Sequence, residues 1–188
     1  MIELTLSQLL IEKTKENPSQ EFMVYSDRGL RFTYQEFDKR VDDMAAGLYA
    51  IGVRKGDNIG IWATNVPEWF LTFWASVKIG AVLVTVNTAY KIHETEYLLR
   101  QSDTHTLVMI DSCKDSDYKA IIEELCPELK NLTPGDPLYS KNLPFLRNVV
   151  TVGFNMEGCL EWNQMLSRAS TVPMEEVRRR AALVKPDD

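Results

Sequence analysis

Three glycines recur around a lysine and an aspartate in the run Gly52-Val53-Arg54-Lys55-Gly56-Asp57-Asn58-Ile59-Gly60, residue types that could cradle a phosphate. Such a cradle needs a strand, then glycines, then a helix N-terminus whose amides and dipole meet the anion. Here the glycines follow a helical pattern and lead into a strand, so Gly52 reads as a helix stop and Lys55-Gly56-Asp57 as a turn. His93-Glu94 could open a zinc-peptidase helix, but Tyr97 stands where the second histidine belongs. His105 falls in a loop near a strand start, and no cluster of ligands surrounds either histidine in the sequence. Cys113, Cys126 and Cys159 lack the paired spacing of a zinc site and read as reduced thiols, and Cys113 has no base partner to make it a nucleophile. Trp62, Trp69, Phe70, Phe73 and Trp74 form a dense aromatic group. Core packing is its default reading, with an apolar substrate wall or an oligomer contact as the alternative.

The elements that position these residues follow from the hydrophobic pattern. Residues 4–15 carry Leu6, Leu9, Leu10 and Thr14 at helical spacing, stopped by Asn17-Pro18. Residues 22–25 and 30–33 flank Ser26-Asp27-Arg28-Gly29 as a hairpin. Thr33 caps the next helix, Glu36 completes a capping box, and Phe32 and Phe37 take the positions of a hydrophobic staple. Val41, Met44, Ala45, Leu48 and Ile51 are its apolar stripe. After a strand at residues 58–63, Asn65 reads as the cap of a helix with Pro67 in its first turn. Residues 68–79 are apolar on nearly every side, which predicts deep burial. Gly80 ends that helix, and the β-branched run at residues 81–86 predicts a strand buried on both sheet faces.

Helix at 93–101, strand at 106–110 and helix at 118–125 continue the alternation. Residues 126–148, punctuated by Pro127, Pro134, Gly135, Pro137 and Pro144, read as a long loop that is either functional or mobile. A strand at 148–152 and helices at 160–169 and 173–183 complete the chain, the last with Glu175 and Glu176 near its positive end. The pattern predicts an α/β fold: a parallel sheet with flanking helices, built from βαβ units with right-handed crossovers, behind a short N-terminal β-hairpin.

Composition narrows the function classes. At 188 residues the chain suits one domain, or one large lobe of a bigger one. A net charge of −6, with 21 basic against 27 acidic residues, argues against a nucleic-acid-binding surface. The single basic run, Arg178-Arg179-Arg180, reads as a solvated helix face rather than an anion site. The most apolar stretch, residues 69–86, is interrupted by Lys78 and Gly80 and does not read as a membrane span. Met1-Ile2-Glu3-Leu4-Thr5 has no basic n-region of a signal peptide, which together with the odd thiol count predicts a cytoplasmic protein.

Four segments, in order and at the usual spacings, resemble the acyl-CoA synthetase branch of the adenylate-forming, AMP-binding superfamily. They are Phe32-Thr33-Tyr34 with Glu36, then Gly52 with Lys55-Gly56-Asp57, then Asn65 with Glu68-Trp69. The fourth is Lys78-Ile79-Gly80-Ala81 running to Val86-Asn87 with Tyr90, Glu94 and Tyr97. The likeness is strong over residues 4–110, with modest departures at Thr88 and Thr95. The tail Val184-Lys185-Pro186-Asp187-Asp188 resembles what precedes the family's Ser/Thr/Gly-rich nucleotide loop.

The resemblance implies a two-step ligase for a parent protein: a carboxylic acid and ATP give an acyl-adenylate and pyrophosphate, and the thiol of coenzyme A then displaces AMP. A medium- or long-chain fatty acid is the implied substrate, with ATP, Mg²⁺ and coenzyme A as cofactors. The family carries its phosphate loop, later aspartate and arginine motifs and a C-terminal lysine beyond the position of Asp188. The matching residues here are caps, turns and helix–sheet contacts, so none is assigned a catalytic, cofactor-binding or metal role.

Residues 1–188 are therefore expected to form the N-terminal subdomain of an AMP-binding domain, cut before the phosphate loop and inactive alone. Lost cover over residues 82–86 predicts an exposed apolar surface and self-association, a homodimer included. The competing reading is a stand-alone α/β interaction or dimerisation module without catalysis. A dinucleotide-binding domain is disfavoured because no glycine fingerprint follows the first strand.

Overall fold

Helix caps set the front of the molecule. The computed structural model describes residues 3–187; Met1, Ile2 and Asp188, used in reading the chain ends, lie outside the described residues. Thr5 caps α1 (Leu6–Glu16), its hydroxyl accepting the Gln8 N–H at 3.1 Å while Gln8 Oε1 accepts the Thr5 N–H at 2.8 Å. β1 (Glu21–Tyr25) and β2 (Leu30–Thr33) pair antiparallel around a short 3-10 turn ending at Gly29, where φ is +63°. Thr33 then caps α2 (Tyr34–Ala50), and the expected capping box is formed: Glu36 N–H reaches Thr33 Oγ1 at 3.3 Å, and Thr33 N–H reaches Glu36 Oε2 at 2.9 Å. The stripe Val41, Met44, Ala45, Leu48 and Ile51 is buried as the spacing requires. Phe37 is fully buried with its ring 4.7 Å from Phe22 and 5.4 Å from Phe70, while Phe32 carries the Arg40 guanidinium 4.4 Å from its ring centroid.

The sheet follows. In chain order it is built by β3 (Asn58–Trp62), α3 (Pro67–Ile79), β4 (Val82–Thr85), α4 (Ile92–Gln101) and β5 (Thr104–Met109). A small hairpin of β6 (Ser112–Cys113) and β7 (Ser116–Asp117) leads into α5 (Tyr118–Leu125). After the long loop come β8 (Asn148–Thr151), β9 (Leu160–Glu161), α6 (Trp162–Ser167) and α7 (Met174–Ala181). Five strands pair all-parallel in the order β4-β3-β5-β8-β9. Period-two alternation divides their side chains between two cores. Ile59, Ile61, Val108 and Val150 join α1, α2, α3 and α6 on one face. Trp62, Leu107, Met109 and Val149 join α4, α5 and the long loop on the other.

Four expectations need correction. The cap of α3 is Val66, not Asn65, which is exposed. Pro67 forces the residue before it out of helical space, and Val66 sits extended at φ −101°, ψ 153°. Nor is α3 buried all round: Trp69, Phe70, Phe73, Trp74 and Val77 are half-buried, whereas Thr72, Ala75 and Ser76 are buried. Small residues let α3 approach its neighbours closely, and the Thr72 and Ser76 hydroxyls donate to the carbonyls of Glu68 and Thr72, each at 2.7 Å.

The strand at 81–86 is not interior. The chain crosses over α3 to the outer side of β3 and returns over α4 to its inner side, which leaves β4 at the edge with Val82 49% exposed. The aromatic group also divides. Trp62 lies in one core, and Trp69, Phe70 and Trp74 pack against the other. Residues 126–148, meanwhile, are held in place: Leu129, Leu138, Leu143 and Leu146 are buried in the second core, and Arg147 donates to the carbonyls of Leu138, Pro144 and Leu146.

Phe37 concentrates the contacts of the hairpin, α2 and α3. Phe37→Ala is expected to lower the unfolding free energy by about 3–5 kcal/mol in a denaturant titration. A loss below about 1 kcal/mol would show that the ring cluster does not organise this face.

Candidate functional site

In a doubly wound sheet, ligands bind at the carboxyl ends of the strands where the strand order reverses. Here that point lies between β3 and β5, and the chain fills it with its own residues. Trp62, the last residue of β3, is fully buried and stacks on Tyr118 with ring centroids 3.8 Å apart and planes 14° from parallel. The Trp62 indole N–H donates to the Asn87 carbonyl at 3.0 Å, and the Tyr118 hydroxyl donates to the Thr88 carbonyl at 2.8 Å. Asn87 Oδ1 accepts the Ala89 N–H at 2.9 Å, which folds the turn after β4 across the crevice. Burial, with the Cys113 thiol alongside, pushes the Tyr118 phenol well above its ordinary range, so it stays protonated. Asn87 and Tyr90, two residues of the resemblance, therefore belong to a plug.

A cavity of about 330 Å³ opens farther along the same end, between β2, α2, α3, the loop after β8 and the junction of β9 with α6. Its polar lining is Arg40, Asp43, Glu68, Glu161 and Asn163, set among apolar residues such as Phe32 and Trp162. Glu68 Oε2 is buried without a hydrogen-bond partner, and its neighbouring cation, Arg28, is 4.0 Å away. Burial first, and this carboxylate second, raise the Tyr25 phenol. Glu161 is committed to capping α6, accepting the Asn163 N–H at 2.7 Å, and Asp43 pairs with Lys39 at 3.1 Å. The lining has no serine, cysteine, histidine or lysine, so the cavity can bind but offers no nucleophile with a base beside it.

One charged cluster escaped the sequence reading. Lys78, there only an interruption of an apolar stretch, is 4% exposed and lies 2.5 Å from Asp42 Oδ1 and 3.1 Å from Asp38 Oδ1. Asp42 Oδ1 lacks hydrogen-bond geometry despite that short contact, so the pair is chiefly coulombic. Two aspartates one helical turn apart on α2, facing a lone lysine in an apolar α3, were the available signal. The cluster ties α2 to α3.

The other residues weighed for chemistry are dispersed. Gly52 and Gly56 turn the chain at φ +94° and +87°, Gly56 N–H donates to the Gly80 carbonyl at 2.8 Å, and Asp57 Oδ2 accepts the Arg54 N–H at 2.7 Å. His93 is exposed on α4. His105 is half-buried at the amino end of β5, away from the carboxyl-end cavity, with Nδ1 3.0 Å from Thr106 Oγ1. All three thiols are free, and burial pushes Cys126 up to about 11 and Cys159 up to about 12. In the arginine run, Arg179 and Arg180 hydrogen-bond Glu176 at 2.8 and 2.6 Å and hold its carboxyl down at about 2. Among the described residues no group of three or more His, Cys, Asp or Glu side chains could hold a metal ion.

The topology is that of a doubly wound α/β lobe, and comparison with known proteins gives its kinship. The AMP-binding enzyme family matches residues 10–162, and the chain belongs to that family. It is 39% identical over its whole length to Bacillus subtilis YngI, whose name assigns it to the acyl-CoA synthetases, and covers 34% of that protein. Over 93% of its length it is 32% identical to the zebrafish (Danio rerio) mitochondrial medium-chain acyl-CoA ligase ACSF2, covering 28% of it. The chain thus spans about a third or less of the length of these relatives.

Among solved structures, an anthranilate CoA ligase, AuaEII, in complex with anthranoyl-AMP superposes with a TM-score of 0.71 at 22% identity over 93% of this chain and 29% of that one. The N-terminal domain of FACL13 from Mycobacterium tuberculosis does so with a TM-score of 0.67 at 17% identity, over 91% and 37%. At these identities the likeness establishes the fold, an α/β lobe shared with CoA ligases.

Two outcomes follow from this electrostatic layout. Lys78→Met strands two half-buried carboxylates and is expected to cost about 2–3 kcal/mol, whereas adding Asp38→Asn and Asp42→Asn should recover most of the loss. Equal stabilities for the single and triple variants in urea melts would sink this account.

His105 supplies a pH dependence. Burial lowers its pKa in the folded state below the unfolded value, with Arg147 and Arg54 adding to the effect and Asp57 opposing it. As pH falls through about 6.5 the unfolded chain takes up the proton first, so stability drops below that pH. His105→Gln should flatten this part of the profile between pH 8 and 5, measured as the denaturant midpoint. An unchanged slope would contradict it.

Proposed function

We propose that the chain is the N-terminal portion of an acyl-CoA synthetase-type acid–thiol ligase. The observation that carries this reading is the 39% identity to YngI across the whole chain, joined by 32% to zebrafish ACSF2 across nearly all of it. In the reaction, a carboxylate oxygen attacks the α-phosphorus of ATP, pyrophosphate leaves, and the thiolate of coenzyme A attacks the acyl carbonyl to expel AMP. Mg²⁺, when bound in such a ligase, would supply charge neutralisation at the phosphates. The proposed acid is a medium- or long-chain fatty acid; the ACSF2 name specifies medium-chain acids for that relative.

The residues present do not fit ATP. No glycine loop opens a helix here, and the carboxyl-end cavity sets Asp43, Glu68 and Glu161 against Arg40, a balance that repels a triphosphate. This chain's part is scaffolding: its sheet, plug and caps position whatever carries the chemistry. The competing reading, a stand-alone interaction module, draws on the plugged crevice. A cytoplasmic setting belongs to the same proposal; the described residues include no helix long and apolar enough to cross a membrane, and the ACSF2 names carry a mitochondrial one. Cell fractionation separates the two.

The 188-residue chain is expected to give no fatty-acid-dependent ATP–pyrophosphate exchange above background, and the polypeptide extended through its own reading frame is expected to give it. Exchange by the 188-residue chain alone would overturn the division of labour. Absence of exchange in the extended protein across fatty acids of medium and long chain would overturn the ligase reading, as would a reading frame that closes at residue 188.

A further inference from the structure

The carboxyl-end cavity holds two charged groups that the fold leaves unanswered, and they are of opposite sign. The rest of its polar lining is committed. Glu161 caps α6 and accepts from Asn163 twice, from the backbone N–H at 2.7 Å and from the side-chain amide at 3.4 Å, while Asp43 pairs with Lys39. Glu68 and Arg40 remain.

Glu68 stands in the first turn of α3, where the helix dipole favours a carboxylate, yet its Oε2 is buried without a hydrogen-bond partner. The side chain is 24% exposed, and Arg28 approaches it only to 4.0 Å. Arg40, on α2, holds its guanidinium 4.4 Å from the centroid of the Phe32 ring. Glu36, one turn earlier and the natural helical partner for Arg40, spends its carboxylate on the Thr33 N–H and hydroxyl at 2.9 and 3.0 Å. Arg40 consequently has no hydrogen bond or ion pair among the described residues. A guanidinium held over a ring keeps N–H groups free for an incoming acceptor. Between the two charges the walls are apolar, with Met44, Leu71 and Trp162 all buried.

Charge balance narrows the occupant. Three carboxylates against one guanidinium disfavour an anion, and Arg40 disfavours a plain cation at the same place. A molecule that carries both charges and no net charge escapes both penalties. We propose that this cavity binds the zwitterion of an apolar α-amino acid, its carboxylate on Arg40, its ammonium on Glu68 and its side chain among Met44, Leu71 and Trp162. The ammonium supplies the cation that Glu68 lacks, and the carboxylate supplies the bidentate acceptor that a guanidinium fork matches. A volume of about 330 Å³ lies at the small end of small-molecule sites, roughly 300–1,000 Å³, as an occupant of this size requires. The site lies wholly within the described residues and is independent of the ligase reading.

Isothermal titration calorimetry on the 188-residue chain tests this with L-leucine and two truncated analogues. Isoamylamine lacks the carboxylate and isocaproate lacks the ammonium. Leucine is expected to bind saturably, and each analogue about tenfold more weakly or worse, the contribution of one hydrogen bond to a charged group. Arg40→Gln should weaken leucine by a similar factor without weakening isoamylamine, and Glu68→Gln should weaken leucine without weakening isocaproate. That crossed pattern separates a lost contact from a folding defect, which would weaken every ligand alike. No saturable binding of L-leucine or L-phenylalanine overturns the proposal. Isoamylamine binding as tightly as leucine assigns the cavity to organic cations and overturns it, and isocaproate doing so assigns it to carboxylates with the same consequence. Uniform loss across all three ligands in both variants overturns the assignment of the two charges. None of these results bears on the ligase reading, which pyrophosphate exchange tests separately.

Discussion

The molecule hangs on the two-sided pairing of β3. Its residues hydrogen-bond to β4 on one side and β5 on the other, and their side chains alternate between two cores, so Ile59 and Ile61 serve one and Trp62 the other. Gly60 faces the second core where Leu107, Thr104 and Leu99 approach; an added Cβ would lie 3.1 Å from Leu107 Cδ1. Asn58 anchors the start of the strand by donating its side-chain amide to the Ser102 carbonyl at 2.7 Å. A register slip of one residue would exchange the two cores and put Trp62 against the wrong helices. The caps, the ion cluster and the plug all presuppose this strand in place.

Local chemistry was legible in the sequence because it acts over three or four residues. Thr33 with Glu36, Gly80 after its apolar helix, and Tyr118 to Leu125 could each be read without knowing what they pack against. Apart from the α3 cap, where Pro67 acts on its own neighbour, the misreadings share a cause: each depended on a partner distant in sequence. The run at 81–86 has the composition of a central strand, and only the crossover topology sends it to the edge. Burial of α3 was overestimated because counting apolar residues cannot show which of them the fold covers: Thr72, Ala75 and Ser76 are buried, whereas Trp69, Phe73 and Val77 are only half so. Lys78 passed as an interruption because its two aspartates lie 36 and 40 residues earlier. Likewise, the carboxyl-end cavity draws on five separate elements, and no single segment of sequence announces it.

The same geometry explains which segments carry the family likeness. The segments that carry the resemblance are those that close turns, cap helices and seat the Asn87–Tyr90 turn over the switch point. Such residues are constrained by backbone conformation and packing, so they mark the fold over long stretches. The crevice at the switch point is filled by Trp62, Tyr118 and the turn after β4.

Gly80 joins three structures at one backbone position. It ends α3 in the left-handed conformation at φ +71°, accepts the Gly56 N–H at 2.8 Å, and lies against the Lys55 and Val184 side chains. Mechanically this is a latch. The Lys55–Leu183 hydrogen bond and the Val184–Gly80 packing tie the tail to the turn at Gly56 and the start of β4. The tail and the sheet edge are thereby joined through one backbone position.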